Sequence, residues 1–582
     1  MDAQTLYKDV VASERLLRDN LKKGNLPQPN DPLRESLLEK ALVFTAKYPA
    51  FSASKETEQV LWKPCFYKCI ESFRRSIRKY AAASNGDRRV REHFFHVSVE
   101  FQTFLDGAST YYEKLHDAFE AEASVEAVRH SMFRCLIFLG DIARYRELHS
   151  QKAKKNFAAA EAFYHRALAV LPENGNPHNQ LAVLATYVEA ETIAVYRYCR
   201  SLLVPQPFVT SSENLALLFE RARQRPMAPP SPPLTQQSPP KDKSAFLKSF
   251  LHRLTRLHGW LLCDDDDAYP AALEAGVVAD FGALLAAGVM GDALLLKLCA
   301  INMYCLHLKP ASKEALRLTL ALLTHTLTYV AAHEEKTALL GPVGIMADFF
   351  GAHSDLLATE GATPFLEALV VVLNGVALAL ADDGDAGDKV RLKERLELRC
   401  FEPLDGGCLA PRAVLEPLPE PAATAVRCAN LVQFGRLLTS GGLLYWLGDR
   451  FATAPPSQGS AGMSVPASDE DEEDFDDEVI VFRPAHLPLV RDDAFPTSPT
   501  FGGADLSAFR HLGGGLRPES VWGSSARIDP IWQDLQAVEA EGTRYAHEVS
   551  SLSMFFKPEE RAPPSYVPPV VTRNPFFVVG NS

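Results

Sequence analysis

Neither a Cys-x-x-Cys pair nor a cysteine and histidine arrangement of zinc-finger type occurs among the ten cysteines of this 582-residue chain. That absence argues against a structural zinc site, and no metal or cofactor is expected. Cys65 and Cys69 stand four apart without a second pair, and most of the others sit in apolar helical stretches, as Cys299 and Cys305 do. They read as reduced, buried thiols. The most apolar run, Ala368 to Ala381, is 14 residues and contains Asn374, short of the ~20 needed to span a bilayer. The first twenty residues carry charge throughout, so no secretory leader is expected. These absences point to the cytoplasm, with shuttling to the nucleus, and away from a membrane. No G-x-x-x-x-G-K-[ST] and no G-x-S-x-G is present, which removes two signatures of enzyme chemistry.

What the chain does have is helical periodicity. Up to about Arg225 apolar residues recur at intervals of three and four, as in Val97, Phe101 and Phe104, with no sustained alternation. Pro226 to Pro240 then places seven prolines among Ser, Gln and Thr, the composition of a semi-rigid linker. Helical patterning returns from Ser244 to about Ala454. Beyond it the chain is rich in Pro, Ser, Gly and Asp, the composition of a largely disordered tail. The expected organisation is all-α: a helical array over 1–225, a linker over 226–243, a helical hairpin domain over 244–454 and a tail over 455–582.

The net charge of −13 is unevenly placed. Nine of the ten residues from Asp469 to Glu478 are acidic, whereas Trp62 to Glu100 holds nine Lys or Arg against four acids. A negatively charged partner therefore suits the amino-terminal part. Between Cys135 and Pro205 a tetratricopeptide spacing appears: Leu139-Gly140 precede Tyr145, and Ala160, Tyr164 and Ala167 precede Pro172. Small residues fall where helices must touch. Inside this window Arg144 and Tyr145 put a guanidinium beside a phenol, a pair that suits an anion, although Arg144 could equally pair with Asp141 three residues back.

The blocks Gly140–Arg146 (GDIARYR) and Asn174–Ala182 (NGNPHNQLA) resemble the nonsense-mediated mRNA decay adaptor family that includes the yeast "ever shorter telomeres" telomerase subunit. Leu396–Leu404 (LELRCFEPL) is similar to a strip of that family's second helical domain. The acidic run before Glu478–Pro484 (EVIVFRP) looks like the tail motif of its plant-type Smg-seven members. The resemblance implies a 14-3-3-like amino-terminal array whose groove receives a phosphoserine peptide, of Ser-Gln type, from the phosphorylated RNA helicase of mRNA surveillance. It also implies recruitment of mRNA decay factors through the tail and pairing with a related adaptor.

By the same resemblance Arg144 and Tyr145 take the family's Arg-Tyr pair, and Asn179 matches an asparagine that holds the peptide backbone; Tyr145 and Asn179 also read as satisfied core residues of the tetratricopeptide array. A second cation is expected on the helix after Leu61-Trp62. Lys68 and Arg75 are seven apart, nearly the same azimuth on an α-helix, and their spacing is similar to the basic pair of 14-3-3 proteins. Counted from Leu61-Trp62, however, the expected lysine position holds Tyr67. Either a local rotation of the helix or a one-residue slip of alignment accounts for this. The expected phosphoserine site is thus Lys68, Arg75, Arg144, Tyr145 and Asn179.

Two other classes compete with the adaptor. A ribonuclease domain, which one relative carries, would need alternating strands and gathered acids, and the Pro- and Gly-rich final residues do not offer them. A telomerase-associated or RNA-binding helical scaffold finds support in Arg74-Arg75, Arg78-Lys79 and Arg88-Arg89, with Phe73 and Tyr80 as the nearby aromatics. The EVIVFRP block reads equally as a docking peptide or as part of a solubilising spacer.

Overall fold

A computed structural model describes residues 2–23, 31–83, 88–152, 155–227, 233–263, 269–379, 389–405 and 416–455. The acidic run, the EVIVFRP block and the tail's apolar islands at 531–535 and 576–579 lie outside the described residues.

Local chemistry sets the first helix starts. Asp2 caps α1 (Ala3–Lys22) by accepting from the Thr5 amide, and Asp31 caps α2 (Pro32–Lys47), where Pro32 occupies the first turn and gives up an N–H that would be unpaired anyway. The short α3 (Pro49–Ser54) and α4 (Thr57–Leu61) lead into a π-helical turn, Trp62–Tyr67, and then α5 (Lys68–Ala83). Next come α6 (Arg88–Glu120), α7 (Glu126–Leu148), α8 (Ala158–Val170), α9 (Asn176–Tyr187), α10 (Glu191–Leu202) and α11 (Thr210–Gln224), each packed on the next. The second half holds α12 (Pro240–Leu262), α13 (Ala271–Ala286), α14 (Asp292–Leu308), α15 (Lys313–Ala332), α16 (Leu340–Ala352), α17 (Thr363–Ala379), α18 (Lys393–Glu397), α19 (Glu402–Asp405) and α20 (Glu420–Ser440). Strand pairing among the described residues is confined to Tyr445–Trp446 against Phe451–Ala452. The all-helical expectation holds.

An aromatic cluster anchors the first core. The Trp62 ring stacks on Phe138 with centroids 4.3 Å apart and meets Tyr112 edge-on, while the Tyr112 hydroxyl donates to the Glu58 carbonyl. Gly140 shows why the helix pair α7 and α8 needs a glycine: a Cβ there would run into the Tyr164 ring.

Two apolar cores divide at α9. Leu181 and Leu184 belong to the first, with Leu6, Phe44 and Phe138, whereas Ala182 and Ala185 belong to the second, with Phe250, Leu298 and Phe350. Helices α10 and α11 contribute Val195, Cys199, Leu218 and Phe219 to that second core. The proline-rich stretch therefore joins two helices, α11 and α12, that pack on each other and share one core.

The LELRCFEPL strip closes against α10. Arg200, 2% exposed, donates to the carbonyl of Glu397 and, at 2.7 Å, to that of Arg399. The Tyr196 hydroxyl reaches Glu397 Oε1 at 2.6 Å, and Arg197 lies 3.4 Å from the same oxygen.

Two stretches, Lys313–Ala332 and Glu360–Ala377, are long and apolar enough to cross a membrane by length and composition. Both contribute to the second core, through Leu318, Leu322 and Leu327 and through Phe365, Leu369 and Leu373. Among the described residues eight cysteines are free thiols, six of them buried.

Candidate functional site

The last two turns of α7 carry Asp141, Arg144 and Tyr145 at helical spacing, and His149 caps the end of the helix. Asp141 Oδ1 accepts from Arg144 Nη2 at 2.7 Å and from the Tyr164 hydroxyl of α8, also at 2.7 Å. Arg144 Nε reaches the Tyr164 hydroxyl at 3.4 Å. The reading in which Arg144 pairs with Asp141 is thus realised. The pairing also fixes the guanidinium in one orientation. Burial works against the Arg144 charge, yet Tyr164 and Asp141 hold its pKa well above the ordinary guanidinium value. Arg144 is a permanent cation here.

Two guanidinium groups lie on one phenol. The Arg144 carbon Cζ is 4.8 Å from the centre of the Tyr145 ring, and that of Arg74, from α5, is 5.0 Å from it. Among the described residues no acid pairs with Arg74, and nothing hydrogen-bonds the Tyr145 hydroxyl. Burial raises the Tyr145 pKa, and Arg144 and Arg74 pull against that rise. Counting Asp141 against Arg144 leaves Arg74 as the surplus positive charge at this point.

Lys68 and Arg75 sit differently. Lys68 Nζ is 2.8 Å from Glu71 Oε2, and Arg75, with 64% of its side chain exposed, is 3.6 Å from Glu71 Oε1. Their spacing of seven does put them on one face, but Glu71 occupies the middle of it and takes up both charges. The neighbouring face, Tyr67 and Arg74, is the one that acts on Tyr145. The count from Leu61-Trp62, which falls on Tyr67, thus lands on the face that meets Tyr145, whereas the shift to Lys68 follows residue type alone. Arg74, seven beyond Tyr67, was read from sequence only as part of an RNA-binding patch.

Asn179 is 2% exposed on α9. Its Oδ1 accepts from Ser211 Oγ and Asn214 Nδ2, both at 3.1 Å, and Ser211 Oγ in turn meets Ser201 Oγ at 2.8 Å. Ser201 Oγ donates to the Gly175 carbonyl at 2.6 Å. The carbonyl end of Asn179 therefore ties α9 to the first turn of α11. From the far end of α9, Tyr187 contributes to the electrostatic environment of Arg144.

Known families match two stretches of the chain. A family model described as telomerase activating protein Est1 matches residues 56–150, and one described as Est1 DNA/RNA binding domain matches residues 160–408. The nonsense-mediated mRNA decay factor SMG7 of Arabidopsis thaliana is 32% identical over 256 residues, 38% of this chain and 24% of its own length. The telomerase-binding protein EST1A of Danio rerio is 36% identical over 190 residues, 30% of this chain and 12% of its own length. The chain thus spans a quarter or less of these curated relatives. Among solved structures, the crystal structure of Est1 and Cdc13 is similar in fold, with a TM-score of 0.54 at 12% identity over 78% of this chain and 100% of that one.

Proposed function

The chain belongs to the Est1 and Smg family of helical proteins, and on that premise we propose that it is a non-catalytic, phosphoserine-binding adaptor of nonsense-mediated mRNA decay. The observation that carries this reading is the pair of guanidinium groups on Tyr145. A phosphoserine brings about −1.5 to −2 charges and three acceptor oxygens. Arg144, oriented by Asp141 and Tyr164, supplies a fixed donor fork. Arg74 supplies the unbalanced charge, and the Tyr145 hydroxyl a third donor. Lys68 and Arg75 act at the rim, screened by Glu71. Asn179 keeps α9 in place for the peptide to lie against.

The ligand in this reading is a phosphorylated Ser-Gln segment of the RNA helicase of mRNA surveillance, and the tail recruits mRNA decay factors. The adaptor works in the cytoplasm and shuttles to the nucleus. Pairing with a related adaptor uses the amino-terminal helices, where Val11 and Leu16 of α1 are exposed.

The test is binding of phosphorylated and unphosphorylated Ser-Gln peptides to the full chain. The phosphorylated peptide binds and the other does not; equal affinity removes the proposal. Arg144→Glu abolishes the binding. A second reading, an RNA-binding scaffold of telomerase, draws on the matched family model's description and on exposed Arg75, Arg78, Lys79, Arg88 and Arg89. RNA affinity that falls steeply with salt, without phosphopeptide binding, would favour it.

A further inference from the structure

Both helices that meet at Tyr145 repeat their chemistry one turn further on. At the end of α7, Tyr145 is followed one turn on by the capping residue His149, whose amide donates to the Tyr145 carbonyl at 3.1 Å; on α5, Arg74 is followed by Arg78. Four residues of α-helix advance about 6 Å, so the two helices present a second rung beside the first. The connection after α7 adds a third group. Lys155 Nζ donates to the Ser150 carbonyl at 2.7 Å and lies 3.4 Å from Ser150 Oγ, which holds the ammonium next to the end of α7.

We propose that the phosphoserine site continues into a second anion subsite, formed by Arg78, His149 and Lys155, that takes a phosphorylated or carboxylate side chain two residues away on the same peptide. The inference rests on the phosphoserine reading and goes beyond it by setting what the ligand carries next to its first phosphate. An extended peptide advances about 3.3 Å per residue and places alternate side chains on one side. Side chains two apart are then about 6.6 Å apart, close to the spacing of the rungs.

The local charges agree. Among the described residues neither Arg78 nor Lys155 makes an ion pair. The nearby acid, Glu147, is already engaged: it accepts from the Asn156 amide at 2.7 Å and lies 3.6 Å from Lys152. His149 is held in place by Phe101, the ring centroids 5.3 Å apart in an edge-to-face contact. Burial first, then Arg74, Lys155 and Arg78, push its pKa down to about 4. It stays neutral at pH 7, able to donate one N–H.

The experiment uses the full chain and four Ser-Gln peptides. One carries a single phosphoserine, two carry a second phosphoserine two residues before or after it, and one carries it six residues away. Either the peptide with the preceding or that with the following second phosphate binds about fivefold or more tightly than the single one. Arg78→Gln with Lys155→Gln removes that gain and leaves the singly phosphorylated peptide within about twofold. A gain that is equal at six residues, or that survives the double substitution, is general attraction and overturns the subsite. No gain at either near position overturns it too, while single-phosphate binding leaves the adaptor reading standing. Absence of binding by any phosphopeptide overturns both.

Discussion

Asp141 and Arg144, one turn apart on α7 and both buried, are joined by a 2.7 Å ion pair. The second carboxylate oxygen of Asp141 is buried with no hydrogen-bond partner among the described residues. The pair therefore depends on Arg144 and Tyr164 alone to offset the desolvation of a carboxylate.

Asp141→Asn leaves the Arg144 guanidinium buried without its counter-charge. A loss of about 3 kcal/mol of folding stability is expected, of the size seen when one partner of a buried pair is removed. Tyr164→Phe keeps the pair and removes one hydroxyl, so about 1 kcal/mol is expected. Urea unfolding monitored by circular dichroism measures both, and equal losses would contradict the hierarchy.

Arg74 separates binding from folding, because among the described residues it pairs with no acid and its guanidinium lies over the Tyr145 ring. Arg74→Gln is expected to weaken binding of a singly phosphorylated Ser-Gln peptide about tenfold, with stability changed by less than about 0.5 kcal/mol. Lys68→Gln and Arg75→Gln change it by less than about twofold. The order of the three in a fluorescence anisotropy titration is the check; a larger effect at Lys68 would place the pocket on the other face of α5.

Glu397 links pH to the seam between α10 and the strip around α18. Burial opposes its charge, but Arg197, Lys297 and Arg200 bring its pKa down to about 2. The unfolded value is about 4.3. Since the folded pKa is the lower one, the stabilisation is present above about pH 4.3 and is lost as pH falls toward 2. Denaturation midpoints of the wild type and Glu397→Gln should differ most near pH 7 and converge by pH 2. A gap that stays constant across that range would mean the carboxylate is not charged by its neighbours.

A fragment ending at 225 cuts through shared packing. It strips the second core from Val195, Cys199, Leu218 and Phe219. Such a fragment is expected to bind a hydrophobic dye and to unfold without a sharp transition, whereas one ending at 455 unfolds cooperatively.

The helices were legible because their apolar residues recur at 3.6-residue spacing, and the contact at Gly140 because only a small residue lets an aromatic such as Tyr164 come so close. Arg144 and Tyr145 stood out as a charged pair inside an apolar window. The choice between Arg74 and Arg75 was not legible. Adjacent residues on a helix point about 100° apart, so choosing the lysine at 68 over the phenol at 67 by residue type moves the pair onto the neighbouring face, where Glu71 meets it. Nor did the proline-rich stretch disclose the border between cores. It separates two helices along the sequence, while the side on which α10 and α11 bury their faces is settled by partners more than fifty residues distant, as where Thr192 Oγ1 meets Thr255 Oγ1 at 3.0 Å. The partners of Asn179 were hidden for the same reason, since Ser211 and Asn214 reach it only after the chain has turned back.

Leu181 and Leu184 face one oily interior and Ala182 and Ala185 the other. A single short rod is therefore the partition between two rooms, and it cannot be moved to widen one without narrowing the other. Under the proposed function, a peptide lying against α9 would bear on a wall shared with the half of the molecule it does not touch.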